Sequence, residues 1–171
     1  DGTWSKISDV AKTSNFVTGI RFARNFGHQS AIEAGLKRAS GKAVITMDGD
    51  LQHPPELIPD LLKKWQDGYE IVNTERLTTV HDKFLKRIAS AFFYKIFDLV
   101  SDIAIKPGVA DFRLLDRKVV DEINKLTEKQ KFFRGLVNWV GFRAISIPYM
   151  AHERASGSSS YSFKKLFSLA N

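Results

Sequence analysis

Residues 43–47 read Ala-Val-Ile-Thr-Met, and the run stops abruptly at Asp48-Gly49-Asp50. A short apolar, β-branched run of this kind reads as a buried strand. Pro54 and Pro55 follow, and they preset the first turn of a helix expected over 55–66. Strand, acidic turn and helix in that order make half of a repeating α/β unit. In open α/β sheets, ligands bind in the crevice outside the carboxyl ends of the strands. The pattern therefore delivers Asp48 and Asp50 to a binding edge rather than to a plain surface loop.

Two carboxylates with Gly49 between them make an oxygen-rich site into which a ligand can come close. Hard divalent cations take oxygen ligands, so Mg²⁺ or Mn²⁺ fits Asp48 and Asp50, with Gln52 as a neutral oxygen. Such a cation commonly holds a diphosphate and neutralises charge as a phosphate leaves. The competing reading is an Asx turn or a helix cap, which an isolated Asp-x-Asp often forms.

The rest of the chain repeats the alternation. Strands are expected over 16–23, 43–47, 70–74, 109–115 and 143–149. Helices are expected over 28–39, 55–66, 82–100, 116–125 and 131–140, with a turn at 24–27. This argues for a parallel α/β sheet. Residues 155–160 (Ala-Ser-Gly-Ser-Ser-Ser) read as a flexible loop, and 161–170 as a short amphipathic helix.

Composition narrows the function. With 171 residues and 43% hydrophobic content, the chain is one domain's worth with enough apolar residues for a core. There is no cysteine, which removes disulfides and thiolate metal sites. No apolar run approaches the ~20 residues that span a bilayer. Lys and Arg number 26 against 19 Asp and Glu, a net charge of +7. Anionic partners follow: nucleotide diphosphates, lipid phosphates or a membrane surface. No helix-turn-helix, zinc-finger or ribonucleoprotein signature supports nucleic acid.

The stretch RNFGHQSAIEAGLKRASGKAVITMDGDLQHPPELIPDLLKKW resembles the middle of a family 2 glycosyltransferase. The similarity is strongest to the polyprenyl-phosphate branch, which includes dolichol-phosphate mannose synthases and bacterial undecaprenyl-phosphate glucosyltransferases. The segments ADFRLLDRKVV, FFRGLVNWVGF and ERASGSSSYSFKKL resemble the same branch. The resemblance implies a GT-A, Rossmann-like domain with a mostly parallel sheet, here over residues 1–160 and lacking the family's first β-α-β. Residues 161–171 would begin an amphipathic juxtamembrane helix. It implies an inverting transferase in cell envelope biosynthesis that moves a sugar from a nucleotide diphosphate sugar to a polyprenyl phosphate. The work would be done at the cytoplasmic face of a membrane, and a homo-oligomer is compatible with it. Without the first β-α-β, the chain by itself is expected to be inactive. The alternative is a non-catalytic, membrane-surface binding module derived from a truncated transferase domain.

The same resemblance assigns Asp111 as the catalytic aspartate. A carboxylate there can orient or deprotonate an attacking phosphate oxygen; the competing reading pairs it with Arg113 or makes it a helix cap. The donor site would comprise Asp48, Gly49, Asp50, Arg76, Arg154 and Ser160. A guanidinium at Arg76, just past a strand, suits a phosphate. Ser160 stands where many relatives carry a lysine, and Lys164 could substitute. Acceptor-phosphate contacts are expected from Lys86, Arg87, Ser90 and Arg134. Helix 82–100 is basic and amphipathic, with Phe84, Phe92, Phe93 and Phe97 beside Lys83, Lys86, Arg87 and Lys95, a pattern that suits an anionic membrane surface; the competing reading is a core-facing helix with a charged solvent face. The turn Arg24-Asn25-Phe26-Gly27 precedes a helix N-terminus, which favours an anion. His28 reads as a surface residue, and His53 as a structural neighbour of the acidic turn.

Overall fold

The computed structural model describes residues 2–77, 109–126 and 133–150. Four strands form one sheet in the order β1-β3-β2-β4: β1 (Ala43–Thr46), β2 (Ile71–Arg76), β3 (Val109–Asp116) and β4 (Ala144–Tyr149). Among the described residues, five helices accompany them: α1 (Thr3–Thr13), α2 (His28–Arg38), α3 (Ile58–Gln66), α4 (Arg117–Lys125) and α5 (Phe133–Trp139). A single 3₁₀ turn, Pro55–Leu57, leads into α3, as the two prolines dictate. Among the described residues, the expected α/β alternation is present from α2 through β2.

The sheet is mixed, not parallel. β1, β2 and β4 point the same way, but β3 inserts between β1 and β2 and pairs antiparallel with both. Only β2 and β4 pair in parallel. An apolar run records burial but not direction, and β3 is reached through residues 77–108, long enough to return the chain either way. Being central, β3 is buried from Asp111 to Leu115.

Alternation along β3 divides the core into two layers. Phe112 and Leu114 pack with Leu61 of α3 and Val72 on one face. Leu115 packs on the other face with Leu36 of α2, Val119, Val120 and Ile123 of α4, and Phe133 and Val137 of α5. α4 starts cleanly because Asp116 caps it, its carboxylate accepting the Lys118 N–H at 2.9 Å. Asp116 also accepts the Trp65 indole N–H at 2.6 Å, tying α3 to the end of β3.

Residues 16–23, expected as a strand, do not form one. A strand needs a ladder, and no other strand pairs with this segment among the described residues. Phe16 is 99% exposed and Ile20 and Phe22 are also exposed. The segment instead backs α1, an element absent from the expectations above. Trp4 and Ile7 of α1 crowd Gly19 so closely that a Cβ there would sit 2.9 Å from Ile7 Cγ2. Helix 82–100, loop 155–160 and helix 161–170 lie outside the described residues.

Candidate active site

β1 and β3 set the site by register. Thr46 stands opposite Arg113. Carried two residues further, the same register puts Asp48 opposite Asp111. Thr46 Oγ1 donates to the Asp111 carbonyl and fastens the strands at that point. Both carboxylates then face a cleft of about 460 Å³ between α2 and β1, whose mouth is formed by His28, Asp48, Gly49 and Asp111. That volume lies in the range of about 300–1,000 Å³ typical of small-molecule sites.

Asp111 is 3% exposed and lies on the α2 face of β3. Its Oδ1 faces Arg113 Nη2 at 3.6 Å, and its Oδ2 meets His28 Nε2 at 3.1 Å. Arg113 is fully buried; it donates to the Ala110 carbonyl at 2.9 Å and lies over the Phe133 ring. The pairing of Asp111 with Arg113 that the sequence suggested is therefore real. The helix-capping role falls to Asp116 instead.

The acidic turn is built differently. Asp50 Oδ1 accepts the Gln52 N–H at 3.1 Å, which closes an Asx turn around Leu51. Leu51 takes φ 62°, a left-handed conformation that costs a branched side chain energy and recurs at ligand-binding turns. Open space stands where a Cβ at Gly49 would project, so a ligand can approach the backbone. Asp48 keeps a side chain 40% exposed.

His53 holds this turn from behind. Its Nδ1 accepts the Asp48 N–H at 3.1 Å, so the ring proton sits on Nε2, 3.9 Å from Asp48 Oδ2. The ring stacks on Phe112 at 5.2 Å and meets Tyr149 edge-on at 6.1 Å. Burial lowers the His53 pKa below its ordinary value, although Asp48, Asp50 and Asp111 pull it upward. Burial also raises the Tyr149 pKa, opposed by the Arg76 charge.

Arg76 ends β2 in register with Tyr149 and is exposed at the same end of the sheet as the acidic turn. Arg134 lies on α5. Lys86, Arg87, Ser90, Arg154 and Ser160 lie outside the described residues. The sequence pattern missed His28. It sits at the start of α2 as expected, yet it reaches a carboxylate 83 residues away, and nothing in its local sequence signals that.

Among the described residues, no three His, Cys, Asp or Glu side chains converge as a metal cage. The donors present still suit a hard cation. Asp48 and Asp50 offer carboxylate oxygen on an open turn, and Mg²⁺ usually takes one or two carboxylates and fills its shell with phosphate and water.

The profile of glycosyl transferase family 2 matches residues 1–124. The chain is 46% identical over 151 residues to the uncharacterized glycosyltransferase YkcC of Bacillus subtilis, covering 88% of this chain and 47% of that protein. It is 41% identical over 170 residues to the bactoprenol glucosyl transferase of Shigella phage SfV, covering 99% of this chain and 55% of that one. It is 39% identical over 170 residues to the prophage bactoprenol glucosyl transferase homolog of Escherichia coli, covering 99% and 56%. The chain thus spans about half the length of these relatives. With the profile running through β1, the acidic turn, β2, β3 and most of α4, the chain belongs to glycosyl transferase family 2.

Proposed function

We propose that this chain is the GT-A core, over residues 1–160, of an enzyme that transfers a hexosyl group from a nucleotide diphosphate sugar to a polyprenyl phosphate. The observation that carries the reading is the meeting of two unlike carboxylates at one cleft, buried Asp111 and the more open Asp48, whose turn continues to Asp50. Relatives named bactoprenol glucosyl transferase support the lipid acceptor.

The donor diphosphate lies along the acidic turn and Arg76, whose guanidinium pairs with phosphate oxygen. Asp48, Asp50 and Gln52 hold Mg²⁺ or Mn²⁺, which when bound offsets the charge of the departing diphosphate. Asp111 orients an oxygen of the lipid phosphate and takes its residual proton. That oxygen attacks the anomeric carbon, the bond to the diphosphate oxygen breaks, and the electron pair leaves with the nucleoside diphosphate. One displacement of this kind inverts the anomeric centre. Lys86, Arg87, Ser90 and Arg134 meet the acceptor phosphate, and Arg154 and Ser160 the donor.

The net charge of +7 and the basic, Phe-rich pattern of 82–100 support work at the cytoplasmic face of an anionic membrane. Among the described residues, no helix is long and apolar enough to cross a membrane.

The test is product formation by the complete gene product. Radiolabelled nucleotide sugars, polyprenyl phosphate and Mn²⁺ should give a labelled, organic-soluble lipid-linked sugar, and chelation should abolish it. Donor turnover that never labels the lipid would contradict the reading.

A further inference from the structure

His28 is the first residue of α2 and has no part in the mechanism above. Its Nε2 lies 3.1 Å from Asp111 Oδ2 and 3.8 Å from Asp48 Oδ1. An ionised carboxylate only accepts hydrogen bonds, so Nε2 carries a proton and donates it toward Asp111. One imidazole thus touches both carboxylate walls, one from β3 and one from the turn after β1. We propose that His28 is a positioning residue for sugar transfer: it spaces Asp111 from Asp48 and fixes the plane of the Asp111 carboxylate toward the acceptor phosphate. The proposal rests on the reading of Asp111 as the acceptor-side carboxylate.

The geometry supports this in three ways. Two like charges facing one cleft repel, and an N–H donor placed between them offsets that repulsion. Asp111 faces Arg113 at 3.6 Å on its other oxygen, so His28 adds a constraint from the cleft side and helps set the rotation of the carboxylate. The His28 side chain is about half exposed on the cleft, at 49%, so it contributes little to the core. Its removal should therefore disturb orientation without disturbing the fold.

The complete gene product is compared with His28→Ala, His28→Gln, Asp111→Asn and the His28→Ala/Asp111→Asn double variant. Steady-state kinetics are run with nucleotide sugar and polyprenyl phosphate, and thermal melting is measured alongside. His28→Ala should lower kcat about ten- to a hundredfold, the loss expected when a hydrogen bond to a charged group is cut. Donor KM and melting temperature should stay near the parent values. His28→Gln, whose amide N–H reaches similarly far, should recover most of the rate. The double variant should be no slower than Asp111→Asn alone, because both changes remove one interaction. The proposal is overturned if His28→Ala keeps kcat within about twofold of the parent, if Gln rescues no better than Ala, or if the two losses multiply. An inactive Asp111→Asn beside a normal His28→Ala would reject the role of His28 alone. A fully active Asp111→Asn would reject the reading of Asp111 and this proposal with it.

Discussion

Asp111 and Asp48 face one cleft from neighbouring walls, one on β3 and one on the turn after β1, and they are held in opposite ways. Asp111 lies on β3, an inner strand of the sheet, with its side chain 3% exposed. Asp48 lies on a turn held from behind by one imidazole, with its side chain 40% exposed. The buried Asp111 carboxylate is held by the side chains of Arg113 and His28. A carboxylate on an Asx-closed turn can adapt to what arrives. In the function proposed above, that contrast would suit two tasks: the fixed wall would aim an acceptor, and the open wall would take an incoming diphosphate.

Removing the charge from the fixed wall should have the largest effect. Asp111→Asn should lower kcat by about 10²–10⁴, the range for a positioned acid–base group. Donor KM should move much less, because the interaction matters at the transition state. A collapse of donor affinity would instead put Asp111 on the donor side and erase the contrast.

The packing behind both walls comes next. Phe112 is fully buried and supports the His53 ring, so Phe112→Ala should cost about 3–5 kcal/mol in chemical denaturation. A cost below about 1 kcal/mol would mean that the aromatic stack is not what holds the turn.

On the open wall, Asp50→Asn should slow turnover about a hundredfold or more, since several kcal/mol of charge stabilisation depend on a bound cation. The loss should shrink as Mn²⁺ is raised if the defect is one of cation affinity. Near-parent turnover at ordinary Mn²⁺ would remove Asp50 from the cation site.

Acid should loosen the open wall specifically. Burial lowers the His53 pKa in the folded chain, whereas the unfolded chain takes up the proton near its ordinary value of 6.5. Between those two points the unfolded state binds more protons, so stability rises with pH there and is lost on acidification through 6.5 and below. His53→Gln should flatten that slope in pH-dependent melting curves. The smallest effect belongs to Phe16, 99% exposed and outside both walls. Phe16→Ser should change stability by no more than about 0.5 kcal/mol.

The elements nearest the site were legible because each has a local cause. β1 ends just before the acidic turn, two prolines open the 3₁₀ turn that leads into α3, and α4 starts at its Asp116 cap. The misreadings share a different cause, which is partnership at a distance. Residues 16–23 carry a strand's composition, but no strand pairs with them among the described residues. The antiparallel direction of β3 depends on how the chain returns after β2, which no apolar run encodes. α1 was readable, since Trp4, Ile7 and Val10 recur at helical spacing. His28 was not. Its bond to Asp111 follows from β1–β3 register and the docking of α2, and a lone histidine at a helix start signals neither.

The division of labour between the two walls is tested most directly by donor binding without turnover. Equilibrium binding of a nucleotide diphosphate sugar, with Mn²⁺ and without lipid acceptor, is measured for the parent, Asp111→Asn and Asp50→Asn forms of the complete gene product. Near-parent affinity in Asp111→Asn and a marked loss in Asp50→Asn are the predicted results. Equal losses in both variants, or a loss confined to Asp111→Asn, would contradict the assignment of the buried carboxylate to the acceptor and the open turn to the donor.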